Sequence, residues 1–271
     1  MSTAALTEFA RSSELPEAVR DPVRDLILVL ADSKRLLGMR YAQWILGAPE
    51  LEAGIACASM AQDEWGHGRL LYALLKDFGD DVDLLEHGRT PEQYRSLDAL
   101  DREPSSWPEL VAMNALVDAA LTVQLEVLSS STYAPLRQRV QKLLEEETFH
   151  GAHGAAWLRR IAAAGEDGRA AMHSAAAHLL PAVLRWFGPD SERARALHDA
   201  GISNADGNRM RTRFLERTAP LLEVLGDPSH GLEEPDFTDF DEVTRRRRGS
   251  SPDERTIEQV RGDRNRTFLM D

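Results

Sequence analysis

MAQDEWGHG (60–68) and EEETFHGAH (145–153) decide how this chain reads, because each places a histidine three residues after a glutamate. Glu64 pairs with His67, and Glu147 pairs with His150. Residues three apart share one helix face, so each pair can aim a carboxylate oxygen and a ring nitrogen at a common object. On an exposed helix such pairs are ordinary. Here Ile55, Met60, Leu70 and Leu71 carry a broad apolar face close to Glu64. What the pairs meet depends on the other helices.

Working outward, Leu26, Val29, Leu30, Leu37, Tyr41 and Trp44 recur at helical spacing between about Pro22 and Leu46. Gly47-Ala48-Pro49 stops that helix, and residues 50–79 form the second, with Glu64 and His67 on it. Residues 77–105 are acidic and turn-rich, without a long apolar period, and read as a crossover with short helical pieces. Trp107 opens a third long helix whose only acids are Glu109, Asp118 and Glu126. A short turn at SSTYAP (130–135) leads into the fourth, which carries Glu147 and His150. Two helical hairpins joined by a long connection predict an all-α, ferritin-like four-helix bundle with additional C-terminal helices, at 170–188 and 209–226. The domain expected is 1–225. Residues 226–271 read as an extended C-terminal tail, its arginine run Arg245 to Arg248 solvated or facing another subunit.

The bulk numbers narrow the function classes. At 271 residues the chain can bury one substantial core. A formal charge of -13 argues against nucleic acid as a partner. The single cysteine, Cys57, excludes an internal disulfide framework and reads as a small core residue in a reducing compartment. The N-terminal stretch lacks a signal-type apolar core, and no 18-residue apolar run free of charge suggests a membrane span. A cytoplasmic protein is expected. The basic residues comprise 29 arginines and only three lysines, Lys34, Lys76 and Lys142, so each lysine's placement carries information.

A carboxylate-bridged dinuclear iron or manganese bundle takes carboxylates from two helices and Glu-x-x-His pairs from two others. Helices two and four supply both pairs, and helix three places Asp118 between apolar neighbours, where an ionised carboxylate needs a partner or a metal. The candidate metal ligands are therefore Glu64, His67, Asp118, Glu147 and His150. His153 reads as a neighbour of that set or a surface residue. Trp65, Phe149 and Trp157 read as core packing. Helix one breaks the pattern: Lys34, between Leu30 and Leu37, occupies the inward position. Protonated, it would neutralise Glu64, Asp118 or Glu147 and repel a metal; deprotonated, its amine is itself a potential nitrogen ligand.

These residues resemble the phenylacetyl-coenzyme A epoxidase family. Gln62 to Gly68, Leu116 to Ala120, Glu146 to His150, Trp186 to Pro189 and the RFLERTAPLLEVLG stretch are similar to its catalytic subunit. Leu30 to Asp32, Leu37-Gly38, Arg40, Trp44, residues 48–52 and residues 153–160 are similar to its structural subunit. The resemblance covers most of residues 20–225. It implies metal ligands at the five positions above, with Glu64 or Glu147 as a bridging, catalytic carboxylate, and it breaks at Lys34, where a glutamate is expected. It further implies dinuclear iron, oxygen-dependent epoxidation of an aromatic acyl-coenzyme A, other oxygenase subunits and a separate reductase. The other reading is a structural subunit, metal-free, with a Lys34–carboxylate ion-pair network in place of the centre.

Overall fold

The computed structural model describes residues 7–268. The first six residues of the N-terminal stretch and the last three of the tail lie outside them. α1 (Glu17–Gln43) and α2 (Leu51–Leu75) form the first hairpin. They approach closely: a Cβ on Gly38 would stand 2.7 Å from Trp65 Cδ1, so the absence of a side chain sets the spacing there.

A crossover follows, with one short helix, α3 (Val82–His87), whose N-cap Asp81 accepts from Leu84 N–H. The third long helix is continuous but not uniform. α4 (Trp107–Ala112) runs into a π-helical turn, Met113–Asp118, and then into α5 (Ala119–Leu128). The turn holds Asn114 and Asp118, and such wide turns often mark functional sites. α6 (Ala134–Ala163) completes the second hairpin. The four long helices form an all-α, ferritin-like bundle, with Leu30, Leu37, Leu71, Leu116, Leu121 and Leu143 among its fully buried side chains.

The helix from Trp107 to Leu128 is long and apolar enough to cross a membrane, but 83% of its apolar window is buried inside the protein. It is a core helix here. Further helices pack around the bundle: α7 (Glu166–Trp186) against α4, the π turn and α6; α8 (Glu192–Asp199) against α1; α9 (Gly207–Leu222) against α5.

Beyond residue 225 the chain folds back onto the bundle. A two-residue hairpin, β1 (Phe240–Asp241) with β2 (Arg246–Arg247), precedes α10 (Glu254–Arg261), which packs on α1. Arg35 donates to the Val260 carbonyl at 2.9 Å, and Arg40 to Thr256 Oγ1 at 3.0 Å. The arginine run divides. Arg247 and Arg248 are exposed as expected, whereas Arg246 is buried, donating to Ser96 and Asp101, and Arg245 sits half-buried against Trp186. The physical reason is the crossover, where the Ser96 carbonyl and hydroxyl and the Asp101 carboxylate accept from the Arg246 guanidinium.

Candidate metal or cation centre

Six side chains from all four bundle helices meet in the interior. Lys34 comes from α1, Glu64 and His67 from α2, Asp118 from the π turn, and Glu147 and His150 from α6; all are buried. Lys34 Nζ stands at their middle. It donates to Glu64 Oε1 at 2.9 Å, Asp118 Oδ1 at 3.0 Å and Glu147 Oε1 at 2.6 Å. An ammonium has three protons to give, and each finds a carboxylate.

The histidines bridge what remains. His150 Nδ1 lies 3.2 Å from both Glu64 Oε1 and Asp118 Oδ2, and its Nε2 lies 3.3 Å from Asp63 Oδ2. His67 Nε2 meets Glu146 Oε2 at 2.6 Å, so each ring reaches the acid preceding the other helix's glutamate. His67 Nδ1 stands 3.2 Å from Glu147 Oε1 and 3.9 Å from Glu64 Oε2, without the alignment of a hydrogen bond to either. Tyr41 and Asn114 support the far side: Tyr41 O–H donates to Asp118 Oδ2 at 3.0 Å, and Asn114 Nδ2 donates to Tyr41 Oη at 2.9 Å. Thr122 donates to Glu147 Oε2 at 3.0 Å.

Burial opposes every charge in this cluster, and mutual contact overrides it for most members. Lys34 is pushed down by burial but carried well above its usual range by Asp118, Glu147 and Glu64. Burial raises Asp118 too, yet Lys34 and His150 hold it well below the usual carboxylate range. His150 is lowered by burial and lifted to about 11 by Asp118 and Glu64. For Glu64 burial wins, raising it to about 7 against the pull of Lys34. His67 is raised in spite of burial by Glu147 and Glu64. Lys34 and His150 are therefore held as cations beside the acids they touch, and Glu64 is the acid that burial pushes toward its neutral form.

Glu64, Asp118, Glu147 and His150 bring ligand atoms within 4.8 Å of one another, a set that could hold a metal ion. Among the described residues, Glu64 Oε2 and His67 Nδ1 are buried without a hydrogen-bond partner, which is the kind of unmet bonding that a cation answers. A pair of metal ions, however, does not fit the donors as they stand. Three carboxylates are present rather than four, and the Lys34 ammonium engages one oxygen of each. A metal would have to displace that ammonium or strip its proton.

Of the other residues read from sequence, His153 lies just outside, its Nδ1 3.2 Å from Asn114 Oδ1. Trp157 packs edge-on against Trp107. The expectation that Trp65 and Phe149 are core residues is corrected: Trp65 is 38% and Phe149 75% exposed, because each lies away from the inward side of its helix that carries His67 or His150. Cys57 is fully buried, and burial pushes its thiol up to about 11, so it is an inert core residue. Sequence reasoning missed the supports Tyr41, Asn114 and Thr122. It also missed a second buried network in which Arg89 pairs with Asp32 and Tyr72 donates to the same carboxylate. A polar residue recurring on the apolar face, Asn114 four before Asp118, was the available signal.

The fold and centre define a class: a ferritin-like helical bundle with carboxylates and histidines converging from its four helices. Within that class the chain belongs to the phenylacetic acid catabolic protein family, whose model matches residues 2–248. It is similar to two different subunits of the 1,2-phenylacetyl-CoA epoxidase of Escherichia coli K12. With one the identity is 27% over 220 residues, 78% of this chain and 70% of that protein. With the other it is 27% over 136 residues, 49% of this chain and 55% of that protein. The chain is an oxygenase-family subunit.

Proposed function

We propose that this chain serves as a non-catalytic, structural subunit of a multi-subunit oxygenase, with Lys34 standing in for the cations of a dinuclear centre. The observation that carries this reading is the position of Lys34 Nζ, 2.6–3.0 Å from Glu64, Asp118 and Glu147 at once. A fixed internal cation satisfies the same oxygens that a metal would bridge, and it keeps the bundle closed without one. In this reading the oxygenase acts on an aromatic acyl-coenzyme A, and its metal-bearing polypeptide and its reductase are separate chains. The similarity to two different polypeptides of one epoxidase supports an assembly of that kind.

A second reading is favoured by the unpartnered Glu64 Oε2 and His67 Nδ1. There the chain is itself the catalytic subunit, with Glu64, His67, Asp118, Glu147 and His150 holding iron or manganese after Lys34 moves away. Glu64 or Glu147 would then serve as the catalytic carboxylate.

Metal content decides between them. Wild type and Lys34→Glu are reconstituted identically with iron(II) or manganese(II), desalted and analysed for metal per chain. The structural reading expects little metal in the wild type and a clear rise in Lys34→Glu, which removes the positive charge and adds an oxygen ligand. Equal, near-stoichiometric occupancy in both proteins would reject it in favour of the catalytic reading.

A further inference from the structure

Arg245 carries a guanidinium into the protein, and among the described residues no acid pairs with it. Its backbone is held at φ 53°, in the left-handed region that a non-glycine residue adopts only when its surroundings enforce it. Its head packs 5.4 Å from the centre of the Trp186 ring, and Nη1 donates to Gln124 Oε1. Burial, and then the neighbouring cation Arg193, push its pKa down to about 10. Buried charges are ordinarily paired, because desolvating a lone one is costly.

The surroundings deepen the imbalance. Arg193 and Arg95 each donate to Asp25 at 2.5 Å, one to each oxygen, so two guanidiniums share one carboxylate. Arg24 also touches Asp25, at 3.2 Å, but its main partner is Asp80. Asp25 already accepts from Arg193, Arg95 and Arg24, and no hydrogen bond joins it to Arg245. Around this one point, positive charge exceeds negative.

A cavity of about 40 Å³ opens at that point, lined by Arg193, Arg245, Asp25, Gly188, Ser191 and Ala194 among others. Ser191 caps α8, its Oγ accepting from Ala194 N–H at 3.2 Å, so the electropositive first turn of α8 borders the same space. Glu242 also borders the cavity, as an exposed side chain. We propose that this cavity binds a tetrahedral oxyanion, a phosphate or sulfate group, between the guanidiniums of Arg193 and Arg245. Guanidinium forks match such oxygens, and the bound anion would complete the charge balance that Asp25 leaves unfinished. The site lies apart from the Lys34 cluster and does not depend on how that cluster is used.

The test is phosphate-dependent stability of the full chain, measured by thermal unfolding and calorimetry at fixed ionic strength, with potassium chloride replaced stepwise by potassium phosphate. A ligand that binds only the folded state raises the melting temperature along a saturation curve. Wild type should show that curve with phosphate and with sulfate but not with chloride alone. Arg245→Gln should lose the saturable rise, and its melting temperature in chloride should be no lower than wild type, because an unpaired, half-buried charge is gone. Arg245→Lys, which keeps the charge but not the fork, should bind phosphate at least tenfold more weakly. A glycerol phosphate arm separates sources: a rise with both anions assigns the phosphate group of a larger solute, and a rise with inorganic phosphate only assigns the free ion. No saturable rise in wild type, or the same rise in Arg245→Gln, overturns the proposal.

Discussion

Lys34 Nζ and Glu147 Oε1 stand 2.6 Å apart across the bundle, joining α1 to α6. This is the shortest of three contacts that the ammonium makes, and both side chains are cut off from water. The pair fastens the two hairpins at the point where a cofactor would otherwise have to. Removing one member leaves the other charge buried and uncompensated.

Lys34→Met should therefore destabilise the metal-free protein by about 3–5 kcal/mol, the usual cost of breaking a buried ion pair from one side. Urea denaturation of the two proteins checks this. Adding Asp118→Asn to the methionine variant should recover part of the loss, since one of the stranded carboxylates is then neutral. A double variant no more stable than Lys34→Met would mean that Asp118 is not coupled to Lys34.

Stability should fall on the alkaline side of neutrality. His150 is raised from 6.5 to about 11, so the folded state holds its proton more tightly than the unfolded chain does. That contribution is complete below pH 6.5 and is lost as pH rises toward 11. Glu64, raised from 4.5 to about 7, acts in the same direction: its contribution is present below pH 4.5 and gone above 7. Urea midpoints should decline between pH 6 and 10, and His150→Gln should flatten that decline. A wild-type profile that rises over this range contradicts the assignment of charges.

Two glycines of α6 should respond in opposite ways to alanine. A Cβ on Gly154 would lie 2.7 Å from Asn114 Oδ1 and 3.2 Å from the Ala115 nitrogen, so the Asn114 amide, which supports Tyr41, must shift or the π turn must give. Gly154→Ala should cost about 1–3 kcal/mol, as overpacked cores do. Gly151 has nothing within 4 Å of such a Cβ, and Gly151→Ala should stabilise by about 1 kcal/mol through helix propensity alone. Thermal melts of both variants give the comparison.

The return of the C-terminal segment makes a further prediction. Arg246 donates to Ser96 Oγ at 3.1 Å and to Asp101 Oδ2 at 2.7 Å, tying the hairpin to the crossover. Burial raises Asp101 to about 6 even against the Arg246 charge, so truncating that arginine strands a buried acid. Arg246→Ala should expose residues 96–101 to limited proteolysis while the four bundle helices stay protected. Cleavage rates at that segment equal to wild type would show that the contact does not hold it.

The sequence by itself determined the bundle and the membership of its centre. Apolar periodicity marks a helix without reference to other helices, and Glu-x-x-His spacing puts both side chains on one face wherever the helix packs. Asp118 and Lys34 were legible because each is an ionisable residue set among apolar neighbours. Only the tertiary structure decided what those charges do to one another. Three carboxylates separated by up to 83 residues in sequence converge on one ammonium, and no local pattern encodes that distance. The π turn was equally hidden, since nothing in the spacing of Met113 to Asp118 separates it from an α-helix; in the fold its Asn114 lies against Gly154 of α6. Arg245 and Arg246 misled for the same reason. Arginine in a polar segment reads as solvent-facing, and whether it turns inward depends on unpaired carbonyls and acids elsewhere, which only the folded chain brings within reach.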